Sequence, residues 1–208
     1  MSLLLSSCST TLEVGTYKGY ELPPYTVLKQ FEQAELRQYA PQLVAEVTVE
    51  GERNEAINAG FRILAGYIFG ANESADKVAM TTPVTQTPAA EKIAMTTPVT
   101  QAQVGQAWVV RFGMPKQYTV ETLPIPTDTR IRFVLTPPST RAVVRFSGFA
   151  GNATITEQTQ RLDALITQQH LKRVGEPEIA FYDSPFTLPW NRRNEISAAV
   201  EEYESEVH

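Results

Sequence analysis

Apolar positions recur along this chain with two periods, and the switches between them mark out the elements. Tyr25 to Tyr39 reads as two strands broken near Glu32-Gln33. Leu43 to Glu50 alternates cleanly, placing Leu43, Ala45, Val47 and Val49 on one face of a strand that Gly51 ends. The period then changes. Ile57, Phe61, Leu64 and Ile68 follow at steps of four, three and four, one stripe of an amphipathic helix with Asn54 as cap and Gly70 as stop. Gly60 and Gly66 each weaken that helix by about 1 kcal/mol relative to Ala, which implies close packing on a sheet.

The second half repeats this plan. Trp108–Phe112, Arg130–Leu135 and Arg141–Phe146 alternate as strands, separated by loops holding Pro115, Pro124, Pro126, Pro137 and Pro138. Thr154-Ile-Thr-Glu157 has a capping-box pattern and opens a second helix, with Ile155, Leu162, Leu165 and Ile166 on its buried side and a stop near Gly175-Glu-Pro177. Ile179–Tyr182 and Glu195–Tyr203 read as closing strands. Each half is strands, a glycine stop, one helix and more strands: an α+β fold with mostly antiparallel pairing and helices laid on the sheet.

One phrase occurs twice. Lys77-Val-Ala-Met-Thr-Thr-Pro-Val-Thr-Gln86 returns fifteen residues later as Lys92 to Gln101, changed only at Val78/Ile93. The β-branched residues favour an extended backbone, and the proline in each copy excludes a helix interior or a central ladder position. The simplest account is a local duplication that lengthened a loop, leaving one copy in the sheet and the other outside it.

Composition narrows the chemistry. A chain of 208 residues, 42% hydrophobic and 20% charged, is long enough to bury a real core as one large domain or two small halves. Its net charge of −5 argues against nucleic acid. No apolar run reaches membrane-spanning length. Leu5-Ser-Ser-Cys8 resembles a bacterial lipobox, in which the cysteine becomes the lipidated first residue, although Leu3–Leu5 is too short for a signal core. Residues 1–24 are therefore expected to be a shortened lipoprotein-type signal and flexible tether, 25–203 the domain, and 204–208 a disordered tail. Lipidation of Cys8 would place the protein in the periplasm or outer membrane; without it, the alternative is cytoplasmic.

Reactive groups are few. His208 ends the chain and His170 falls in the last turn of helix two, where the helix dipole favours a cation. No Gly-x-Ser-x-Gly elbow, zinc spacing, calcium loop or phosphate loop is legible. Three features remain. Met80, Met95 and Met114 line an apolar pocket, bind a soft metal, or simply pack. Arg111, Arg130, Arg132, Arg141 and Arg145 form a cationic strip for carboxylates, or a solvated face paired with Glu and Asp. Pro185, Phe186, Pro189 and Trp190 stiffen an aromatic loop that runs into Arg192, Arg193 and Glu195; Arg193 and Glu195 are also candidates for an internal ion pair.

Gly60-Phe-Arg-Ile-Leu-Ala-Gly-Tyr-Ile-Phe-Gly70 with Asn72, then Lys-Ile-Ala-Met-Thr-Thr-Pro-Val, Phe146-Ser-Gly148, and Pro185-Phe-Thr-Leu-Pro-Trp-Asn-Arg-Arg-Asn-Glu-Ile196 together resemble the SOUL haem-binding protein family. The resemblance runs from about residue 25 to 203. It implies a distorted antiparallel β-barrel flanked by two helices, a pseudo-twofold repeat of a β-α-β unit. It also implies non-enzymatic binding of haem or a related tetrapyrrole in an apolar cleft, with Met80, Met95, Met114, Arg132, Arg145, Phe186 and Trp190 as candidate contacts. The histidine proposed as axial ligand in some members has no counterpart between Tyr25 and Glu50, so the residues expected to matter are those for the ring and its carboxylates. The alternatives are a binder of other amphipathic molecules, lipid or drug-like cation, marked by an acid deep in the cleft (Glu46, Glu121 or Glu195), and a hydrolase using one carboxylate and a tyrosine.

Overall fold

The computed structural model describes residues 15–73 and 90–202. Two short strands, β1 (Thr16–Tyr17) and β2 (Tyr20–Glu21), turn back on each other through Lys18 and Gly19, both at positive φ. β3 (Tyr25–Gln30) and β4 (Ala34–Tyr39) form a hairpin broken where Glu32-Gln33 predicts. After Ala40-Pro41 come β5 (Gln42–Glu50), α1 (Arg53–Ile68) and the short β6 (Asn72–Glu73). β7 (Val99–Val104) and β8 (Ala107–Gly113) make a second hairpin, β9 (Ile125–Pro126) pairs back on β6, and β10 (Arg132–Thr136) passes through Pro137-Pro138 into β11 (Ser139–Phe146). α2 (Asn152–Gln168), β12 (Leu171–Phe181), a 3-10 turn at Pro189–Asn191 and β13 (Asn194–Glu202) follow.

Nine strands form one antiparallel sheet in the order β10-β5-β8-β7-β12-β13-β11-β4-β3. The order contains a duplication: β4-β5-α1-β7-β8 corresponds to β10-β11-α2-β12-β13. The first strand of each unit pairs with the second strand of the other, β4 on β11 and β10 on β5, and β7 meets β12 at the pseudo-twofold. This exchange forces the sheet to curl. In a flat sheet β4 and β5 would lie six strand spacings apart, about 29 Å, but two linking residues reach only about 11 Å. The same limit holds for β10 and β11. The sheet therefore closes into a half-barrel, with both proline-bearing links across its open side.

Alternation gives each half its own core. Ala45 and Val47 of β5 and Val110 and Phe112 of β8 face Leu64, Tyr67 and Ile68 of α1. Ala142, Val144 and Phe146 of β11, Ile179 of β12 and Ile196, Ala198 and Val200 of β13 face Leu162 and Ile166 of α2. The buried residues of α1 are Ala56, Gly60, Leu64, Tyr67 and Ile68. Leu64 and Ile68 fall as expected, whereas in the first half of the helix the stripe is rotated by one position, with Ala56 and Gly60 in place of Ile57 and Phe61, the latter 39% exposed. Gly60 explains the rotation, because it lets the helix backbone approach the sheet: a Cβ there would sit 2.7 Å from Val110 Cγ2. Gly66 has no such role, its nearest neighbour being Ala71 Cβ at 3.9 Å.

Several boundaries differ from expectation. The N-caps are Glu52 and Gly151, neither with a side-chain bond, so neither Asn54 nor the Thr154–Glu157 box does the capping. α2 ends at Gln168, where His170 turns the chain at φ 53°, and residues expected to continue it form the first part of β12, with a register shift between Val174 and Glu178 around Gly175 and Pro177. Residues 15–24, expected as tether, join the folded body: Tyr17 and Leu22 pack against Ala180 and Tyr182. The second copy of the doubled phrase enters the sheet, with Ile93 buried in the first core and Val99-Thr100-Gln101 opening β7. The first copy, Met80 and Cys8 lie outside the described residues.

Candidate functional site

Residues that do not face the helices face the inside of the curl, and there the alternation is charged. Along this face Arg132 Nη2 lies 3.3 Å from Glu46 Oε1, Arg111 Nε donates to Glu46 Oε2 at 2.9 Å, Arg111 Nη1 stands 3.5 Å from Glu178 Oε1, and Arg141 Nη2 lies 2.8 Å from Glu178 Oε2. Arginine and glutamate thus alternate across strands from both halves. Of this row Arg111, Glu178 and Arg141 line a cleft of about 330 Å³, walled by Tyr39, Thr100, Tyr182 and Ser197 and by both inter-strand links. Burial pushes the Glu178 carboxyl up, but the charges of Arg141 and Arg111 outweigh it and hold the group below its ordinary range.

At the deep end Glu195 is 2% exposed. Its Oε1 accepts from Arg37 Nη2 at 3.0 Å and from Arg193 Nε and Nη2 at 3.0 and 2.7 Å; its Oε2 accepts from Arg37 Nη1 at 2.8 Å and from the Tyr182 hydroxyl at 2.6 Å. Arg37, 1% exposed, also donates to Glu35 at 2.5 Å and Tyr39 at 2.9 Å and lies 4.4 Å from the Tyr25 ring centroid. Burial raises the Glu195 carboxyl, yet the hydrogen bonds and charges of Arg37 and Arg193 bring it down to about 2. Burial and the neighbouring carboxylate push Tyr182 well above its ordinary value. The site is fully paired.

Beyond this cluster, outside the β4–β11 side of the sheet, opens a larger groove of about 590 Å³. Arg37 and Arg193 form its inner wall, Ala34, Val143 and Phe146 are apolar, and Trp190, 68% exposed, stands at its side with Tyr17. Three further arginines line it. Arg161 donates to Gln158 and Gln33, and Arg192 to the carbonyls of Thr187 and Pro185, so among the described residues neither meets a carboxylate. Arg145, half exposed, has only a 3.6 Å approach to the already occupied Glu195 Oε1. Two acids, Glu32 and Glu35, share the lining. The groove therefore carries positive charge not spent on internal pairs.

The expected contacts do not all assemble. Arg145 and Trp190 meet in the groove. Phe186 projects from the neighbouring loop, 95% exposed, and does not line it. Met114 is buried in the first core, and Met95, 37% exposed, lies on the other half of the fold. Arg132 pairs with Glu46 from the edge strand β10, and neither lines the cleft. Of the expected acids, Glu195 lines the cleft, Glu46 is buried beside it on Arg111, and Glu121 is on the surface. Arg130 is spent on Asp128 in a turn, and Arg193 and Glu195 are the internal pair. Arg37, Arg161 and Glu178 were not anticipated. No local pattern separates a buried strand arginine or a groove-facing helical one from a solvated one; only the exchange of first strands between the halves brings them here.

A duplicated, curled antiparallel sheet with helices outside and a charged cleft inside defines a two-lobed α+β protein. The sequence matches the profile of the SOUL heme-binding protein family over residues 20–199, and the chain belongs to that family. No curated protein is significantly similar to it in sequence. In fold it is similar to the C-terminal domain of EcmrR (TM-score 0.60, 13% identity, 82% of this chain and 98% of that one). It is also similar to a hydrolase from Listeria innocua (TM-score 0.54, 12% identity, 84% and 94% covered). At these identities the likeness is one of fold alone.

Proposed function

We propose that the protein binds haem or a related tetrapyrrole in the groove beside β4 and β11, with its carboxylates on Arg145, Arg161 and Arg192 and its ring face against Trp190. The observation that carries this reading is the meeting of an exposed indole with three arginines that, among the described residues, lack a close carboxylate of their own. A volume of about 590 Å³ is within the range of small-molecule sites. The donors suit the ring and its acids but not the iron: among the described residues the lining holds no His, Met or Cys, and its Tyr17 hydroxyl is already donated to Asp183 at 3.0 Å. Recognition therefore runs through the carboxylates and the ring.

The alternatives fit less well. A lipophilic cation needs an unpaired acid in the cleft, and both Glu178 and Glu195 are already paired with arginines. A hydrolase using Tyr182 and Glu195 has the contact but the wrong tuning, since a carboxylate held at about 2 is a weak general base. Attachment to the cell envelope through a lipid on Cys8 is part of the proposal, and mass spectrometry of the native protein tests it.

Titration with hemin and with iron-free protoporphyrin tests the main reading. Both are expected to bind saturably with similar affinity. Replacing Arg145 or Arg161 by Ala should weaken each about tenfold, the worth of one charge-assisted hydrogen bond. Absence of saturable binding, or affinities indifferent to Arg145→Ala, Arg161→Ala and Trp190→Ala, would overturn it.

A further inference from the structure

The loop that supplies Trp190 does more than wall the groove. Four large apolar side chains on two adjoining loops face water: Phe186 (95% exposed), Trp190 (68%), Phe149 (67%) and Leu188 (53%). The loops are stitched together, not left loose. Gly148 N donates to Pro189 O at 2.9 Å, and Asn194 Nδ2 to Gly148 O at 3.1 Å. Arg192 holds the carbonyls of Thr187 and Pro185 at 2.7 and 2.6 Å and lies 5.2 Å from the Phe149 ring centroid. At these exposures three aromatic side chains of about 150–250 Å² each present roughly 350–570 Å², to which Leu188 adds, a size that matches the largest apolar patches on monomers, which are often functional. A braced loop that still holds rings away from the core is organised for a partner.

We propose that this patch docks the protein on an anionic lipid bilayer, the rings entering the boundary between headgroups and acyl chains. Two observations select a lipid surface. A ring 95% exposed stands clear of its neighbours, which suits a fluid partner that closes around it. The residues beneath are cationic: Arg145, Arg161 and Arg192 lie in the adjoining groove, and neither Arg161 nor Arg192 meets a carboxylate among the described residues. The chain as a whole carries −5 and gains nothing from an anionic surface except through such a face. Aromatic tips over arginines are the composition of an interfacial contact. The inference depends neither on Cys8 nor on haem, although docking here would set the mouth of the groove against the membrane.

The test uses the full chain, unlipidated and without haem. Cosedimentation is measured with vesicles of equal parts phosphatidylglycerol and phosphatidylcholine and with phosphatidylcholine alone. Binding is expected on the anionic vesicles and should weaken with added salt; Phe149→Ser with Phe186→Ser should reduce it about tenfold or more. Both rings are mostly exposed, so the thermal midpoint of that variant should stay at the wild-type value. A second readout needs no change in the patch. The chain has two tryptophans, Trp108 and Trp190, so with Trp108→Phe the remaining emission reports the loop and should be quenched by brominated acyl chains. No sedimentation, sedimentation unchanged in the double variant, or an unquenched Trp190 would overturn the proposal. So would a dimer, seen by sedimentation velocity without lipid, that the same two substitutions dissolve.

Discussion

Replacing Glu195 by Gln removes one charge from a cluster with almost no water around it, and two routes give the size of the loss. The carboxyl is held at about 2 against an ordinary 4.5. A difference of that size corresponds to about 3 kcal/mol of stability in the ionised state. Pair-breaking gives a similar figure: the substitution strips the counter-charge from Arg193 and leaves Arg37, 1% exposed, with Glu35 alone, and uncompensated buried charges typically cost about 3–5 kcal/mol. Because Glu35 stays bonded to Arg37, the lower end applies. Urea unfolding followed by circular dichroism should show Glu195→Gln less stable by about 3 kcal/mol at neutral pH, with an unchanged dependence on denaturant. The pH dependence is the sharper test. A depressed carboxyl stabilises fully above its unfolded value and loses that contribution as pH falls from about 4.5 toward 2, because the unfolded chain takes up the proton first. The gap between wild type and variant should therefore close over that window, where the wild type acquires the uncharged group the variant already has. A gap under about 1 kcal/mol at neutral pH, or one constant down to pH 2, would refute the reasoning.

Two glycines on one helix should respond with opposite signs. Gly60→Ala is expected to destabilise by about 1–3 kcal/mol, since its methyl would meet Val110 Cγ2 at 2.7 Å, and Val110→Ala should relieve part of that. Gly66→Ala has room and should stabilise by up to about 1 kcal/mol; thermal midpoints distinguish the two. Asn72→Ala should cost about 2–4 kcal/mol in denaturant unfolding, because Asn72, 4% exposed, bonds the Tyr67 and Glu91 carbonyls at 2.7 and 2.8 Å and the Glu91 amide at 2.9 Å. Met114→Ala should cost about 2–5 kcal/mol as a cavity in the first core, whereas Met95→Ala, at a surface position, should change stability little.

Much of the fold is written locally. The alternation in Leu43–Glu50 and Arg141–Phe146 and the change of period after Gly51 are each carried by a few neighbouring residues, and the structure places strands and a helix there. The buried stripe of α1 is less legible, because the residue that sets it is Gly60, whose contribution is the absence of a side chain. The misplaced end of α2 has a similar origin. Leu171–Val174 carries no period strong enough to separate a helix tail from a strand, and pairing with β13 decides it. The groove was half legible. Trp190 and Arg145 stood out, while Arg161 on a helix and Arg37 in a strand acquire their roles only when β4 crosses to the other half.

That crossing also settles what strand alternation alone leaves open. A strand that alternates apolar and arginine residues has one face to bury, and ordinarily its charged face looks to bulk water. Here two links of two residues each pull the sheet into a half-barrel, so the charged faces of both halves turn toward one another. Once enclosed, an arginine must find a carboxylate or carry a cost in desolvation. Arg37, Arg111, Arg141 and Arg193 do find one, at Glu195, Glu46 and Glu178, and they read as paired structural charges. Arg145, Arg161 and Arg192 lie where the curl opens, beyond the reach of those acids except for the one 3.6 Å approach. The same curvature thus divides the arginines into those that hold the lobes together and those left for an anionic guest. If the division is right, Arg141→Ala should lower stability and leave porphyrin affinity unchanged, while Arg161→Ala should do the reverse; unfolding and titration on the same two proteins decide it.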